Sequence, residues 1–586
     1  MAAAINTTGR ASLEQDPEKH SPVVQTNALP ADTLRDSDEE SDVKQDGVKN
    51  AEAITSLWPR NMLWVIFVLL WLVSFSMALL GSVDGALSPY VTSSFSQHGL
   101  LGVISIVSRI IGGVVTLAIA KTIDIRGRLE GFIGAVVLVV IGAIMKAACQ
   151  NVTTYAAAAV FTWVGNVAVG FIIDIFVADI TTLRNRMIIF TLNSTPHIIT
   201  TFAGAKIAEL FYKYHNFRLA FIACAIIFVG LSLPVIAIMW YYEREAKKAG
   251  LIREKSGRTT FESLKYYWVQ FDFIGMILII AGFALLLLPF SLVRTIGGGW
   301  TAPTVIVMIV LGVVILACFV AWEKFFAPVM FFPFHLLRDR TILGAALAYF
   351  VMFLSTFIWN GYYSSYLQVV HGLSISISNY VLNAYSLTSY FCSPFIAWYI
   401  RWSGQVKWPA MIAVPIYLMS TALIIYFRKP DTSVGYVTMC QVLIGFSTGM
   451  LSTMSQLILM AAAGHANVAV AIAIYGLFGS IGSSTGYAIA AGLWTNQLPQ
   501  KLERYLPEES KNLTATIYGD IKQQLAYPIG HPIRDAVIHA YGDVMRSMTI
   551  AGACLCPLLV ASILMWRNIN VKDVQEKEKS KRGNIF

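Results

Sequence analysis

Residues 62–80 read MLWVIFVLLWLVSFSMALL, nineteen positions with no charge and only two serines among apolar side chains. At roughly 1.5 Å per residue a helix of that length nearly matches the ~30 Å hydrocarbon thickness of a bilayer. Stretches of the same kind recur as far as Trp566, and charge gathers in the connections between them. Within such a segment only a helix satisfies every backbone N–H and C=O, so the pattern predicts an all-α polytopic membrane bundle. With 56% hydrophobic and 13% charged residues in 586, a soluble fold would need an implausibly large core.

About 14 transmembrane spans are expected, at 61–88, 98–120, 129–149, 153–177, 187–208, 217–241, 271–292, 302–322, 342–367, 375–400, 408–427, 434–461, 466–495 and 546–567. The even-numbered connections hold seventeen lysines and arginines and the short odd-numbered ones five, Lys213, Arg218, Arg294, Arg428 and Lys429. The positive-inside rule therefore expects both termini in the cytoplasm. Residues 58–241 then form a six-helix half, 242–270 a basic cytoplasmic connection, 271–322 an extra helix pair, and 342–495 helices nine to thirteen. The last helix, 546–567, follows a long outer loop, 496–545, and precedes a cytoplasmic tail, 568–586.

The formal net charge of +9 conceals an acidic tail, since residues 1–57 carry eleven acidic and five basic side chains. The tail is nearly free of aromatics and is expected to be disordered. The basic remainder suits a membrane surface, not nucleic acid. Seven cysteines lie in or beside apolar stretches, without metal-site or disulfide spacing, and read as small hydrophobes. Asn512-Leu-Thr514 in the outer loop is a candidate glycosylation site.

Between the second and third spans the chain reads AKTIDIRGR, where Asp124, Arg126, Gly127 and Arg128 resemble the signature loop of the major facilitator superfamily. Ala120 and Ile125 depart from the usual G-x-x-x-D-R-x-G-R. In that family the loop clamps the cytoplasmic helix ends and biases the outward-open state. Fourteen helices, the acidic tail, VADITTLRNR at 177–186 and the long last outer loop together look like the fungal siderophore-iron transporters. The resemblance implies a monomer importing a ferric siderophore with protons, at the plasma membrane or in an endosomal or vacuolar membrane. The rival is a fourteen-helix proton-coupled drug exporter, whose fifth helix carries G-x-x-x-G-P-x-x-G-G. Here TLNSTPHIITTF retains Pro196 but lacks those glycines. A nutrient receptor signalling through its tail is a third reading.

Arg109 falls near the middle of the second span, where an ionised group needs a partner or a wet cavity. In the fourth span Trp163, Asn166, Gly170 and Asp174 recur at three and four, making one polar stripe. Asp174 is placed to exchange a proton during the cycle, or else meets solvent and the Arg184 and Arg186 cluster. Asp84 and Lys146 come to comparable depth; they pair, or Asp84 accepts protons from outside. Lys206 and Glu209, three apart, pair with each other or supply a coupling carboxylate. Asp179, which resembles a family position within the VAD segment, caps a helix end, meets the arginines or takes part in coupling.

Spans nine and ten concentrate polar and aromatic residues: Ser355, Trp359, Tyr362 and Tyr366 at four, three and four, with Tyr363 beside them, and Asn379, Asn383, Ser386 and Tyr390 likewise. A stripe of amides facing lipid would leave polar groups unsatisfied, so these faces pair across helices or line a cavity for a bulky polar chelate. Iron would arrive already wrapped in siderophore oxygens, and the scattered histidines offer neither metal ligands nor a cofactor site. His197, beside Pro196, reads as a bend residue. In the outer loop Tyr518, Tyr527 and Tyr541 are candidates for a lid. No nucleophile and base constellation suggests an enzyme, and no nucleotide-binding segment supplies energy. An inward proton gains about 2.3 kcal/mol per 100 mV of membrane potential.

Overall fold

The computed structural model describes residues 59–94, 101–181, 183–214, 216–249, 268–293, 299–329, 332–464 and 467–573, with Glu262 and Ile296 between them. The acidic tail, most of the basic connection and the end of the last tail lie outside the described residues. The first bundle runs α1 (Arg60–Ser94), α2 (Leu101–Arg126), α3 (Arg128–Ala148), α4 (Val152–Ile180), α5 (Leu183–Asn193), α6 (Pro196–Tyr214) and α7 (Phe217–Lys248). A pair, α8 (Phe273–Leu292) and α9 (Pro303–Phe325), precedes the short α10 (Phe334–Leu337). The second bundle comprises α11 (Arg340–Asn360), α12 (Tyr363–His371), α13 (Ile375–Ser403), α14 (Lys407–Phe427), α15 (Val434–Ala463) and α16 (Val468–Tyr505). It closes with α17 (Thr514–Gly519), α18 (Ile521–Leu525), α19 (Pro532–Leu555) and α20 (Pro557–Leu564).

Local chemistry sets the helix ends. The Asn151 side chain accepts from Thr154 N at 2.7 Å to start α4, and Asp339 does the same for Thr341 N at 2.7 Å to start α11. Gly127, at φ +100°, makes the sharp turn between α2 and α3 that a side chain would strain.

The two bundles meet along α2 against α16 and along α5 and α6 against α13. Within the second bundle α16 lies unusually close to α11. A Cβ on Gly482 would sit 2.4 Å from the Phe350 carbonyl oxygen, so the glycine permits the approach. The extra pair docks through α8 on α2 and α16, and Trp322 Nε1 donates to Asp272 Oδ1 at 2.9 Å to join its two helices. Only 17% of the apolar window of α9 is buried, with Ile306, Val307, Val310, Leu311, Val313 and Val314 all exposed. That apolar surface requires lipid.

Twelve helices among the described residues are long and apolar enough to cross a bilayer. Two expected spans fall outside that set, for physical reasons. The fifth, 187–208, is broken into α5 and α6 at Ser194 and Thr195, where Pro196 cannot continue the hydrogen-bond ladder. The tenth, 375–400, is the continuous α13, but its polar side chains face protein and lower its hydropathy.

Two further boundaries are corrected. The expected loop 496–545 shrinks, because α16 continues to Tyr505 and α19 begins at Pro532. Charge on these extensions is absorbed between helices: Lys501 meets Asp543 at 2.7 Å, and Tyr505 Oη donates to the same carboxylate at 2.9 Å. The ninth span, expected unbroken over 342–367, is interrupted after Asn360 and resumes at Tyr363.

Candidate functional site

The centre of the site is built by α2 and α4 from one side and α11 and α16 from the other. The Arg109 guanidinium lies 4.5 Å from the Trp163 ring centroid, 4.4 Å from Phe357 and 5.1 Å from Tyr487. A Cβ on Gly112, three residues along α2, would stand 2.6 Å from Trp163 Cδ1, so the missing side chain seats the indole beside the arginine. Arg109 forms no ion pair among the described residues; aromatic faces stabilise the cation without cancelling its charge. It is half-buried and thus available to an anion.

Trp163, Asn166, Gly170 and Asp174 line up on α4 and are all half-buried, so this polar face of a central helix is not fully packed. Trp163 Nε1 and Asn166 Oδ1 have no hydrogen-bond partner among the described residues. Tyr349 of α11 lies within electrostatic reach of both Asp174 and Arg109 and stacks on Tyr475 at 3.8 Å. A carboxylate and a guanidinium thus border one aromatic wall without pairing.

Opposite, α13 brings Asn383, Ser386 and Tyr390 half-buried to the bundle interior. Asn379 is buried and donates to Ile375 O at 2.9 Å, and Asn383 donates to Asn379 O at 3.0 Å, leaving their amide oxygens for other donors. Tyr390 stacks on His197 at 4.6 Å and 15°. That contact joins α13 to α6 just past the break between α5 and α6. Trp71 Nε1 donates to Thr195 Oγ1 at 3.0 Å and Ser74 Oγ to Asn193 Oδ1 at 3.1 Å, so α1 supports the broken backbone. Interrupted helices are where transporters expose backbone to a cargo.

The remaining aromatics of the ninth span lie elsewhere. Spacing placed Ser355, Trp359, Tyr362 and Tyr366 on one face, but Tyr362 falls in the two-residue gap between α11 and α12, and the stripe runs instead through Trp359, Tyr363 and Tyr366. Ser355 is buried against Gly552 O at 2.9 Å. Trp359, Tyr363 and Tyr366 turn away from Arg109 and gather in the second bundle around Arg428, which the sequence reading had left in a connection. Tyr362 stacks on Trp494 at 4.2 Å, and Trp494 meets Tyr541 edge-on at 4.9 Å.

The end bearing residues 506–531 is sealed. Tyr90 of α1 donates to Gln368 Oε1 of α12, and Ile521 N of α18 donates to Ser93 Oγ of α1 at 3.5 Å. Arg534 bonds the backbone oxygens of Gln524 and Gln368, and Tyr541 donates to the Gln524 side chain. Tyr541 therefore belongs to a buried clamp on α19 rather than to a loop. Tyr518 and Tyr527 are half-buried in the 506–531 segment, Tyr527 tilted against His531 with ring centroids 4.9 Å apart, and Asn512 is exposed there.

Asp84 pairs with Lys146 at 2.8 Å, and Tyr155 Oη donates to Asp84 Oδ1 at 3.2 Å. Lys146 is 1% exposed and Asp84 29%. Glu209 accepts from Lys213 at 2.6 Å and from Lys206 at 3.4 Å, so its main partner is Lys213, one turn on, which the sequence reading overlooked. Asp124 and Arg126 fall at the end of α2 and Asp179 at the end of α4, and their side chains lie outside the described residues. Arg128 opens α3.

Residues 66–487 match the model of the Major Facilitator Superfamily. A protein called MFS siderochrome iron transporter 1, from Ajellomyces capsulatus, is 49% identical over 554 residues, covering 94% of this chain and 96% of that one. The chain belongs to the fungal siderochrome iron transporters of the Major Facilitator Superfamily. Further relatives in the family are MFS siderochrome iron transporter D of Aspergillus fumigatus, 37% identical with 91% and 89% coverage, and siderophore iron transporter mirB of Emericella nidulans, 38% identical with 92% and 89% coverage. The fold is shared with an inward-facing bacterial homologue of the human lysosomal transporter Spinster (TM-score 0.53, 12% identity, 89% of this chain and 99% of that one). It is also shared with a peptide transporter, POT, in complex with sulfate (TM-score 0.52, 15% identity, 86% and 96%). As a member of this superfamily the protein is a multi-pass membrane transporter, not an enzyme.

Proposed function

We propose that this protein imports ferric siderophore chelates by proton symport, its two bundles rocking about the crevice between α2, α4, α11, α13 and α16. The observation that carries the reading is Arg109: an unneutralised cation held by aromatics from both bundles, next to a wall of amide and hydroxyl groups. A bulky, oxygen-rich chelate presents apolar flanks to Trp163, Phe357, Tyr487 and Tyr390, and its oxygens to Arg109, Asn166, Asn383 and Ser386. The names carried by the relatives support that cargo.

In this reading α5–α6 and α13 complete fourteen spans, both termini are cytoplasmic, and the sealed end faces outward. The conformation is then outward-closed. Asp174 is the leading proton carrier, because it shares the incompletely packed polar face of α4 and has no basic partner among the described residues. Asp84 and Glu209, each ion-paired, rank below it, and Asp179 is a further carboxylate at the same end as the signature loop Asp124, Arg126, Gly127 and Arg128. Tyr518 and Tyr527 act with the Tyr541 clamp as the outer lid. The transport unit is a monomer at the plasma membrane.

The test is accumulation of radioactive iron presented on several siderophores, in iron-starved cells lacking their own carriers, with and without a protonophore. Uptake of a chelate that the protonophore abolishes is the expected result. No uptake despite surface protein refutes import and leaves export or sensing.

A further inference from the structure

Arg428 caps the end of α14 and is 2% exposed, yet no acidic side chain among the described residues meets it. Its guanidinium lies 3.9 Å from the Tyr363 ring centroid and 4.7 Å from that of Trp359, and Nη1 reaches the Trp359 carbonyl at 3.4 Å. Nε and Nη2 have no acceptor among the described residues. Around them stand other buried polar groups in the same condition: both amide atoms of Gln441 on α15, the hydroxyls of Tyr363 and Tyr366, and Trp359 Nε1. Tyr363 Oη is close enough to Gln441 and Arg428 to interact with both, though neither contact reaches full hydrogen-bond geometry.

A buried cation without a counter-charge is costly, and each unsatisfied donor adds to that cost. Here several converge on one spot, nearly all of them donors. Donors outnumber acceptors among them, the acceptors being Gln441 Oε1 and the two tyrosine oxygens, and the group carries a positive charge. The spot is separate from the Arg109 crevice, because Trp359 stands between: its ring meets Tyr385, itself within electrostatic reach of Arg109 and Tyr487, edge-on at 6.4 Å and covers Arg428 at 4.7 Å.

We infer that Arg428, Gln441, Tyr363 and Tyr366 form a binding site for a small monovalent anion inside the second bundle. The ligand is a halide or a carboxylate group that accepts from Arg428 Nε and Nη2 in the guanidinium plane, with the tyrosine hydroxyls and the Gln441 amide completing its shell. The site joins α11, α12, α14 and α15 at the end that the clamp seals, so its occupancy tightens the packing of the bundle on which that clamp closes. The anion is drawn either from free solution or from a carboxylate carried on the transported molecule.

The experiment uses full-length protein in detergent and gluconate buffer, titrated with sodium bromide and separately with sodium formate, following the unfolding midpoint and tryptophan emission. Wild type is expected to show a saturable rise in midpoint, with bromide quenching of emission that Trp359→Phe diminishes while the rise persists. Arg428→Gln and Gln441→Leu should weaken half-saturation by about tenfold or more, as loss of a charge-assisted hydrogen bond implies, and Arg109→Gln should leave it unchanged. If the anion belongs to the cargo, both salts are silent. Arg428→Gln then weakens binding of a carboxylate-bearing ferric chelate but not of a carboxylate-free one. Gln441→Leu, which removes no charge, covers the case in which Arg428→Gln does not fold. Silence in both arms, or responses retained in the Arg428 and Gln441 variants, overturns the inference.

Discussion

The Tyr90 hydroxyl donates to Gln368 Oε1, a single side-chain contact that latches the first bundle to the second at the sealed end. Tyr90 also packs on Tyr212 of its own bundle at 4.5 Å, so the ring is held independently of the hydrogen bond. Replacing it by phenylalanine removes the latch and keeps the packing. A net loss of about 1 kcal/mol raises the outward-open population roughly fivefold. The check is the rate of thiol labelling at Ser365→Cys, now 1% exposed, in the two backgrounds. Equal rates would show that the bond does not hold the gate.

Arg109 should matter through both charge and shape. Arg109→Gln is expected to weaken equilibrium binding of the ferric chelate by roughly 10–100-fold, and Arg109→Lys to recover only part of it, since a compact ammonium cannot stack on three rings as a planar guanidinium does. Binding measured on purified protein with radioactive iron separates this from any effect on turnover. A lysine variant equal to wild type would reduce the role to charge alone.

For Asp174 the sign is set by direction of flow. Symport loads protons from outside, so wild-type accumulation rises as external pH falls. Asp174→Asn has no proton to load or release; its accumulation should become flat with pH while exchange of labelled for unlabelled chelate continues. Initial rates across pH 5 to pH 8, with surface protein quantified, decide it. Retained pH dependence would move the coupling role to another carboxylate.

Asp84 is expected to behave differently. Asp84→Asn leaves Lys146, 1% exposed, without its counter-charge, a loss of about 3 kcal/mol, at the lower end of the range for buried pairs because Asp84 keeps some solvent contact. The outcome is low protein abundance, recovered when Lys146→Met is added. A normally abundant Asp84→Asn protein with altered pH dependence would instead make Asp84 a coupling residue.

Asn512 offers a test of orientation. It is exposed on the segment that forms the sealed end, in the sequon Asn512-Leu-Thr514. If that end faces outward, protein made in fungal cells should lose mass on deglycosylation, and Asn512→Gln should abolish the difference. Accessibility of an epitope inserted beside Asn512 in intact cells gives the same answer without a sugar, and an inaccessible epitope would reverse the orientation.

The membrane class was legible because apolar runs of bilayer length have one physical solution, and the α4 stripe was legible because Trp163, Asn166, Gly170 and Asp174 lie on one unbroken helix. The reading failed where the partner of a face had to be known. Trp359, Tyr363 and Tyr366, four and three residues apart, share the face that packs on Arg428, while Phe357 on another face of α11 meets Arg109. Hydropathy also ended α16 too early, because charge on Lys501 looks like loop until Asp543 is brought 2.7 Å away.

Composition and period by themselves determined that the chain is a helical membrane bundle with polar faces buried among its helices, since burial of backbone polar groups and of apolar area depends on local sequence. Tertiary structure alone decided which polar groups meet. Phe357 and Tyr487 close around Arg109, and Gln441 comes to Arg428, from positions far apart in the chain. Such convergence depends on how helices pack and where they break, and no periodicity along one helix encodes its neighbour's register.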